Sequence, residues 1–204
     1  VMRDVLTRDG VEDTDKQIYL MLAALCHDLG KPETTETRED GRITSYNHAQ
    51  VGARNAPAFL ESFGFTPKHI DHVVPLIKEH MCHIDWRRKF PSAKALRKAS
   101  IRLAPATIEE LFWIFEADVS SRPPLTPDPK MYEVIDKARR LGVFEGQLQP
   151  LIFGRHVLEV HEDKKPGPWI GILVKKAFEA QALGAFKTIE DGLEWLKTQE
   201  VSND

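Results

Sequence analysis

The chain has 204 residues, 42% of them hydrophobic and 29% charged, with a net charge of −3 at pH 7. That length holds one large domain, or one ordinary domain with a smaller appendage, so at most two units are expected. The longest apolar run, Ile18 to Cys26, is too short to cross a bilayer, and the near-neutral charge argues against a broad basic surface.

Apolar residues recur three and four apart along most of the chain and β-branched alternation is missing, so the expected fold class is all-α. Val1 to Leu6 reads as the middle of a helix with no capping residue before it, so the N-terminus is expected to be truncated. Thr14 and Gln17 have capping-box spacing, and Gly30 and Pro32 stop the following apolar run just past Leu29, which predicts a helix over 15–29. A second helix is expected from about His48 to Phe63, ended by Gly64. A third starts at Thr66-Pro67, where proline suits the first helical position, and runs to about His83. Pro57 and Pro75 are expected to kink these two. Ser92 opens a helix to about Leu103, and Thr107 with Glu110 forms a capping box for a helix ending near Val119.

Ser120 to Pro129 carries four prolines in ten residues and reads as a linker or rigid loop. It divides the chain into a helical bundle over 1–126 and a smaller helical C-terminal arm over 127–204. Helices are expected in the arm at Met131–Leu141, Gly154–Leu158, Pro168–Leu183 and Thr188–Leu196. Cys26 and Cys82 stand far apart, so neither a disulfide framework nor a thiolate zinc site is written, and a reducing cytoplasm is the expected setting.

On a helical wheel with Leu25 at zero, Ile18, Met21, Leu22 and Leu29 gather around it with Asp28 at the edge of the stripe. Leu20, Ala23 and Ala24, then His27, take the opposite side. A helix apolar on nearly all sides is buried, which puts His27 and Asp28 at the bottom of a cavity. Asp118 falls close to the centre of the stripe formed by Leu111, Ile114 and Phe115. Burying an unpaired carboxylate costs on the order of several kcal/mol, so a metal ion or buried cation should neutralise it. His80 borders the stripe of Ile70, Val73, Val74, Ile77 and Met81, whereas His69, His72 and His83 fall progressively off it. A single inward histidine is more often a hydrogen-bonded core residue than a ligand. Three helices aiming a His or Asp at one interior, with His48 opening a fourth, are better satisfied by a shared divalent cation.

Leu25-Cys26-His27-Asp28-Leu29-Gly30-Lys31-Pro32 resembles the signature of the HD superfamily of histidine/aspartate metal-dependent phosphohydrolases. Tyr46-Asn47-His48-Ala49-Gln50-Val51-Gly52 is similar to the downstream histidine motif of its bacterial tRNA nucleotidyltransferase (CCA-adding) and poly(A) polymerase branch. His80 and Glu116-Ala117-Asp118-Val119-Ser120-Ser121-Arg122 match later motifs in order. Gly154-Arg155, Lys165 to Gly171 and Glu179-Ala180-Gln181 resemble the tail arm of that family.

The resemblance implies an HD-domain helical bundle with His27, Asp28 and Asp118 as metal ligands, and His48 and His80 as second-metal ligands or catalytic phosphate-binding groups. Lys31 and Arg122 become phosphate contacts, with Lys31 at the catalytic centre, and both have an alternative as solvated cations. The metal would be Mg, Mn, Ni, Co, Fe or Zn. The family pattern also asks for an earlier histidine ligand, and none precedes His27 in these residues. The nucleotide-adding head of the family, with its Gly-Ser loop and paired aspartates, is not in this sequence. Lys164, Lys165 and Trp169, beside the tight turn at Pro166-Gly167-Pro168, form a candidate RNA-binding surface, the alternative being Trp169 packed in the arm's own core.

Three functions follow. The first is metal-dependent hydrolysis of a phosphomonoester or cyclic phosphodiester of a nucleotide or RNA end. The second is a tRNA-binding module made of the HD and tail portions of a CCA-adding nucleotidyltransferase. The third is a small-molecule sensor using the same pocket. The enzyme is favoured, because a scaffold has no need of a carboxylate facing its core.

Overall fold

The computed structural model describes residues 14–126 and 128–199, so the helical reading of Val1–Leu6 lies outside the described residues. In chain order the elements are α1 (Thr14–Cys26), a single turn α2 (Lys31–Thr34), β1 (Thr35–Thr37), β2 (Ile43–Ser45), α3 (His48–Ser62) and α4 (Pro67–Glu79). Then come α5 (Cys82–Arg88), α6 (Ala93–Leu103), α7 (Ile108–Ser120), α8 (Lys130–Arg140), α9 (Gly154–Val160), α10 (Trp169–Leu183) and α11 (Ile189–Lys197). Among the described residues no helix is long and apolar enough to cross a membrane.

The capping residues act as their chemistry requires. Ser92 Oγ accepts from Ala95 N–H at 3.1 Å at the start of α6. At α7 Thr107 Oγ1 accepts from Glu110 N–H at 3.1 Å, and Glu110 Oε2 accepts from Thr107 N–H at 2.8 Å. Helix α4 packs along both α1 and α3, and α7 closes the other side of α1. Leu60, Leu76, Ile77, Leu96, Leu103 and Leu111 are sealed completely at their meeting point. Each such side chain stabilises the fold by roughly 2 kcal/mol.

Several local expectations are corrected. Helix α1, expected to be buried on nearly all sides, leaves Leu25 half exposed and buries the side of Leu20, Ala23 and Ala24. The helix is apolar nearly all round, so its pattern carried no direction. Helix α1 ends at Cys26, and His27 to Gly30 form a turn in which Cys26 O accepts from Leu29 N–H at 3.0 Å. The helix expected to run to His83 stops at Glu79, and a new short helix starts at Cys82. The helical fold also contains one antiparallel hairpin, pairing Thr35 with Ser45 and Thr37 with Ile43. Its three-residue strands carry no buried residue, so the sequence has no alternation to reveal them.

Packing places α8 with the first core: Met131, Val134, Ile135 and Ala138 are buried there, followed by Val143 and Phe144. The second core begins at Leu151 and Ile152 and gathers Val157, Leu173, Ala177, Phe186 and Leu196. Leu148 packs with the first core and Leu151 with the second, and α8 joins the first because its apolar face has that core beside it. The join is fixed by polar groups. Gln181, 5% exposed, accepts from Leu151 N–H at 3.0 Å and donates to Gln149 O at 2.8 Å.

Glu110 is the most buried carboxylate tying two helices together. Besides capping α7 it meets His72 Nε2 of α4 at 2.8 Å, and His72 stacks on Tyr19 of α1. Burial raises its carboxyl pKa, but His72 and Thr107 outweigh burial and hold it below the usual carboxylate range. Replacing Glu110 with Ala should cost about 3 kcal/mol in urea denaturation, because the imidazole and the cap lose their partner together. The folded pKa is depressed, so this stabilisation is complete above the unfolded value of about 4.3 and disappears as pH falls through the folded one. The stability gap between wild type and Glu110→Ala should therefore close in acid; a gap independent of pH would contradict this assignment.

Candidate metal centre

The site is built from helix ends. The turn after α1 carries His27 and Asp28, the N-terminus of α3 carries His48, the residue after α4 is His80, and the last turn of α7 carries Asp118. Two close backbone approaches bring these ends together. A Cβ on Gly30 would lie 2.1 Å from His48 O and 2.6 Å from Gly52 N, so only glycine lets the turn after α1 lie against the first turns of α3. Gly30 was read as a helix stop, and its larger role is this approach. The hairpin does the rest: Asn47, at φ 64°, turns the chain out of β2 into α3 and sets His48 inward.

All three histidines are held in the same way. His27 Nδ1 lies 2.8 Å from Ala24 O, His48 Nδ1 2.7 Å from Ser45 O, and His80 Nδ1 2.6 Å from Ile77 O. A carbonyl oxygen can only accept, so each Nδ1 carries a proton and each Nε2 is turned towards the site. His48 Nε2 and His80 Nε2 are 3.1 Å apart. Two lone pairs at that distance repel unless a cation lies within reach of both.

The carboxylates complete the arrangement. His48 Nε2 is 3.5 Å from Asp28 Oδ1, and His27 Nε2 is 3.3 Å from Asp28 Oδ2 and 3.6 Å from Asp118 Oδ1. Asp28, His48 and His80 each offer one ligand atom, and these atoms lie within 4.8 Å of one another. Two imidazole nitrogens and a carboxylate oxygen, with their outer nitrogens already fixed by carbonyls, fit a divalent first-row cation.

The electrostatics agree with a site made for positive charge. Burial works to lower the His27 pKa, yet Asp118 and Asp28 outweigh it and raise it to about 9, as expected of an imidazole between two carboxylates. Burial pushes both carboxylates up, but His27 with Lys31 holds Asp28 well below the usual range, and His27 with Arg122 lowers Asp118. His80 is pushed down to about 4 by burial, despite its bond to Ile77 O, and is a neutral imidazole.

These groups line a cleft of about 450 Å³ that contains Asp28, Lys31, Ser45, Tyr46, His48, His80, Asp118 and Arg122 on its walls. Lys31 and Arg122 are at its mouth, 46% and 57% exposed, paired with Asp28 and Asp118 respectively. His83 also lines it, with Nδ1 against His80 O at 2.9 Å. The helical wheel set His83 aside because it assumed one continuous helix; the break at His80–Met81 turns it back. Lys164, Lys165 and Trp169 lie in the arm and take no part in this cleft. Trp169 packs against the second core and donates from Nε1 to Lys165 O at 3.0 Å.

Residues 6–122 match the HD domain family, more than half of the chain. The chain belongs to the HD domain family. It is 30% identical over 177 residues to the CC-adding tRNA nucleotidyltransferase of Thermus thermophilus, covering 86% of this chain and 38% of that protein. It is 26% identical over 183 residues to the A-adding tRNA nucleotidyltransferase of Deinococcus radiodurans, covering 87% of this chain and 41% of that protein. The chain thus spans about two fifths of the length of these curated relatives. No solved structure matches it.

Because Gly30 meets the backbone of α3, a methyl group there must push the turn and α3 apart. Gly30→Ala is expected to destabilise the protein by about 3 kcal/mol and to weaken Mn²⁺ or Zn²⁺ binding in calorimetry by displacing His48 from Asp28. Wild-type metal affinity in a folded Gly30→Ala protein would show that this approach does not set the site.

Proposed function

We propose that this protein is a metal-dependent phosphohydrolase acting on a phosphomonoester or cyclic phosphodiester of a nucleotide or an RNA end. The observation that supports it is the convergence of the His48 and His80 Nε2 atoms, each turned inward by a carbonyl on Nδ1, with the Asp28 and Asp118 carboxylates on one open cleft, His27 lying against both carboxylates. His27, Asp28, Asp118, His48 and His80 would hold a divalent cation, which would supply a Lewis acid for a phosphate oxygen and lower the pKa of a nucleophilic water.

The chain's own groups do the rest. Lys31 and Arg122, at the mouth, hold the remaining phosphate oxygens. Their pairing to Asp28 and Asp118 keeps them within reach of whatever those carboxylates bind. His48 and His80 present Nε2 to the same cleft, so either can take part in cation binding or accept the proton of the attacking water there and pass it on to the leaving oxygen. A nucleotide or RNA substrate goes with a cytoplasmic setting.

A second reading has support in the comparisons. The match to the two tRNA nucleotidyltransferases runs through the arm as well as the bundle. On that reading the chain is an HD and tail portion that binds tRNA, with Lys164, Lys165 and Trp169 contributing.

Asp28→Ala and Asp118→Ala should each abolish metal binding and hydrolysis while circular dichroism keeps its helical signal. His48→Asn and His80→Asn should weaken metal binding and lower turnover by about 10²–10⁴-fold. If the histidines serve packing alone, melting temperature will fall and the rate per folded molecule will stay. Full hydrolase activity in either aspartate variant would end the enzymatic reading. Metal binding without hydrolysis of any nucleotide or phosphodiester, together with tRNA affinity lost when Lys164 and Lys165 become Glu, would favour the second.

A further inference from the structure

Away from the metal centre, the join between the two cores holds a cleft of about 530 Å³. Its cations are Arg97 of α6, Arg140 at the end of α8, and Lys187 in the turn between α10 and α11, and no carboxylate lines it. Among the described residues the side chains of these three make no hydrogen bond or ion pair. Arg102 on the same helix as Arg97, by contrast, pairs with Glu79 at 2.7 Å. The sequence shows the same bias, since Trp86 to Ile108 contains seven cations and no acid in a chain of net charge −3. Like charges around one cleft repel each other, and an anion relieves this more effectively than water does.

The walls are firm. Gln181 fixes the 149–151 backbone from α10, Ser100 Oγ of α6 accepts from Leu148 N–H at 3.3 Å, and Phe186 is buried behind the Lys187 turn. Arg97 reaches across the join, with Nη1 against Gly184 at the end of α10. The cationic groups thus come from both cores and are held by a hydrogen-bonded frame.

We propose that this cleft is a second, non-hydrolytic binding site for closely spaced phosphate groups, those of a nucleotide, taken free or as part of a single strand. The site is independent of the metal centre and of the reaction assigned to it. Bridging two cores, it also braces the arm against the bundle when filled.

Titration calorimetry on the full, metal-loaded chain tests this with pyrophosphate, ADP and a short single-stranded oligoribonucleotide. Saturable binding should persist in Asp28→Ala, which disables the metal centre, and should weaken by about ten-fold or more in Arg97→Gln/Arg140→Gln and in Lys187→Gln. Hydrolysis of bis-p-nitrophenyl phosphate should be unchanged in these seam variants. Lys187 is exposed in a turn, so its variant keeps the test valid if the double variant folds poorly. ADP binding as tightly as the strand identifies a free nucleotide; strand binding alone, steeply weakened by salt, identifies strand phosphates. Binding of none of the three probes, binding unaltered in folded seam variants, or binding lost in Asp28→Ala would overturn the proposal.

Discussion

Everything at the metal centre depends on where three protons are. A histidine can present either ring nitrogen, and at His27, His48 and His80 a backbone carbonyl three residues earlier takes the Nδ1 proton. Such a bond is available only where the chain leaves or enters a helix and the carbonyl is not committed to the helical ladder. The three histidines accordingly sit on a turn, a helix start and a residue just past a helix end. With Nδ1 fixed, every Nε2 points inward, and His48 and His80 bring two lone pairs to 3.1 Å. The fold keeps these groups together by helix packing and by the Gly30 contact, so that one cation would lie within reach of both nitrogens.

The carboxylates set the charge. Asp28 and Asp118 would be costly to bury alone, and the structure surrounds them with His27, Lys31 and Arg122. His27 takes the position between the carboxylates, which raise its pKa to about 9 against the effect of burial. The partners at the mouth are half exposed and the partner at the floor is buried, a gradient suited to admitting an anionic phosphate towards a positive centre.

Much of this was legible in the sequence, for reasons that can be named. Asp118 stood in an apolar stripe, and a carboxylate there demands neutralisation whatever the fold. The capping pairs Ser92 and Thr107–Glu110 fixed two helix starts because side chain and backbone exchange hydrogen bonds locally. The sequence was silent where structure depends on distant backbone. Gly30 reads as a helix stop, and only the fold reveals His48 O beside it. The hairpin has short, polar strands whose register rests on its turn. His83 misled because a wheel assumes one uninterrupted helix, and the nearly all-apolar pattern of α1 held no sign that Leu25 would be the exposed side. Proline density placed a linker at 120–129, yet the apolar face of α8 decides where that segment packs.

The central claim is that imidazole Nε2 atoms fixed by carbonyls on Nδ1, together with Asp28, hold a divalent cation. Long-range ¹H–¹⁵N correlation spectra of the histidine rings, recorded on metal-free protein and then with one equivalent of Zn²⁺, test it directly. The account predicts that His48 and His80 are Nδ1-protonated before metal is added, and that their Nε2 resonances move from the free-nitrogen to the metal-coordinated region as Zn²⁺ binds. Rings protonated at Nε2 in the metal-free protein, or Nε2 resonances that do not respond to Zn²⁺, would contradict it.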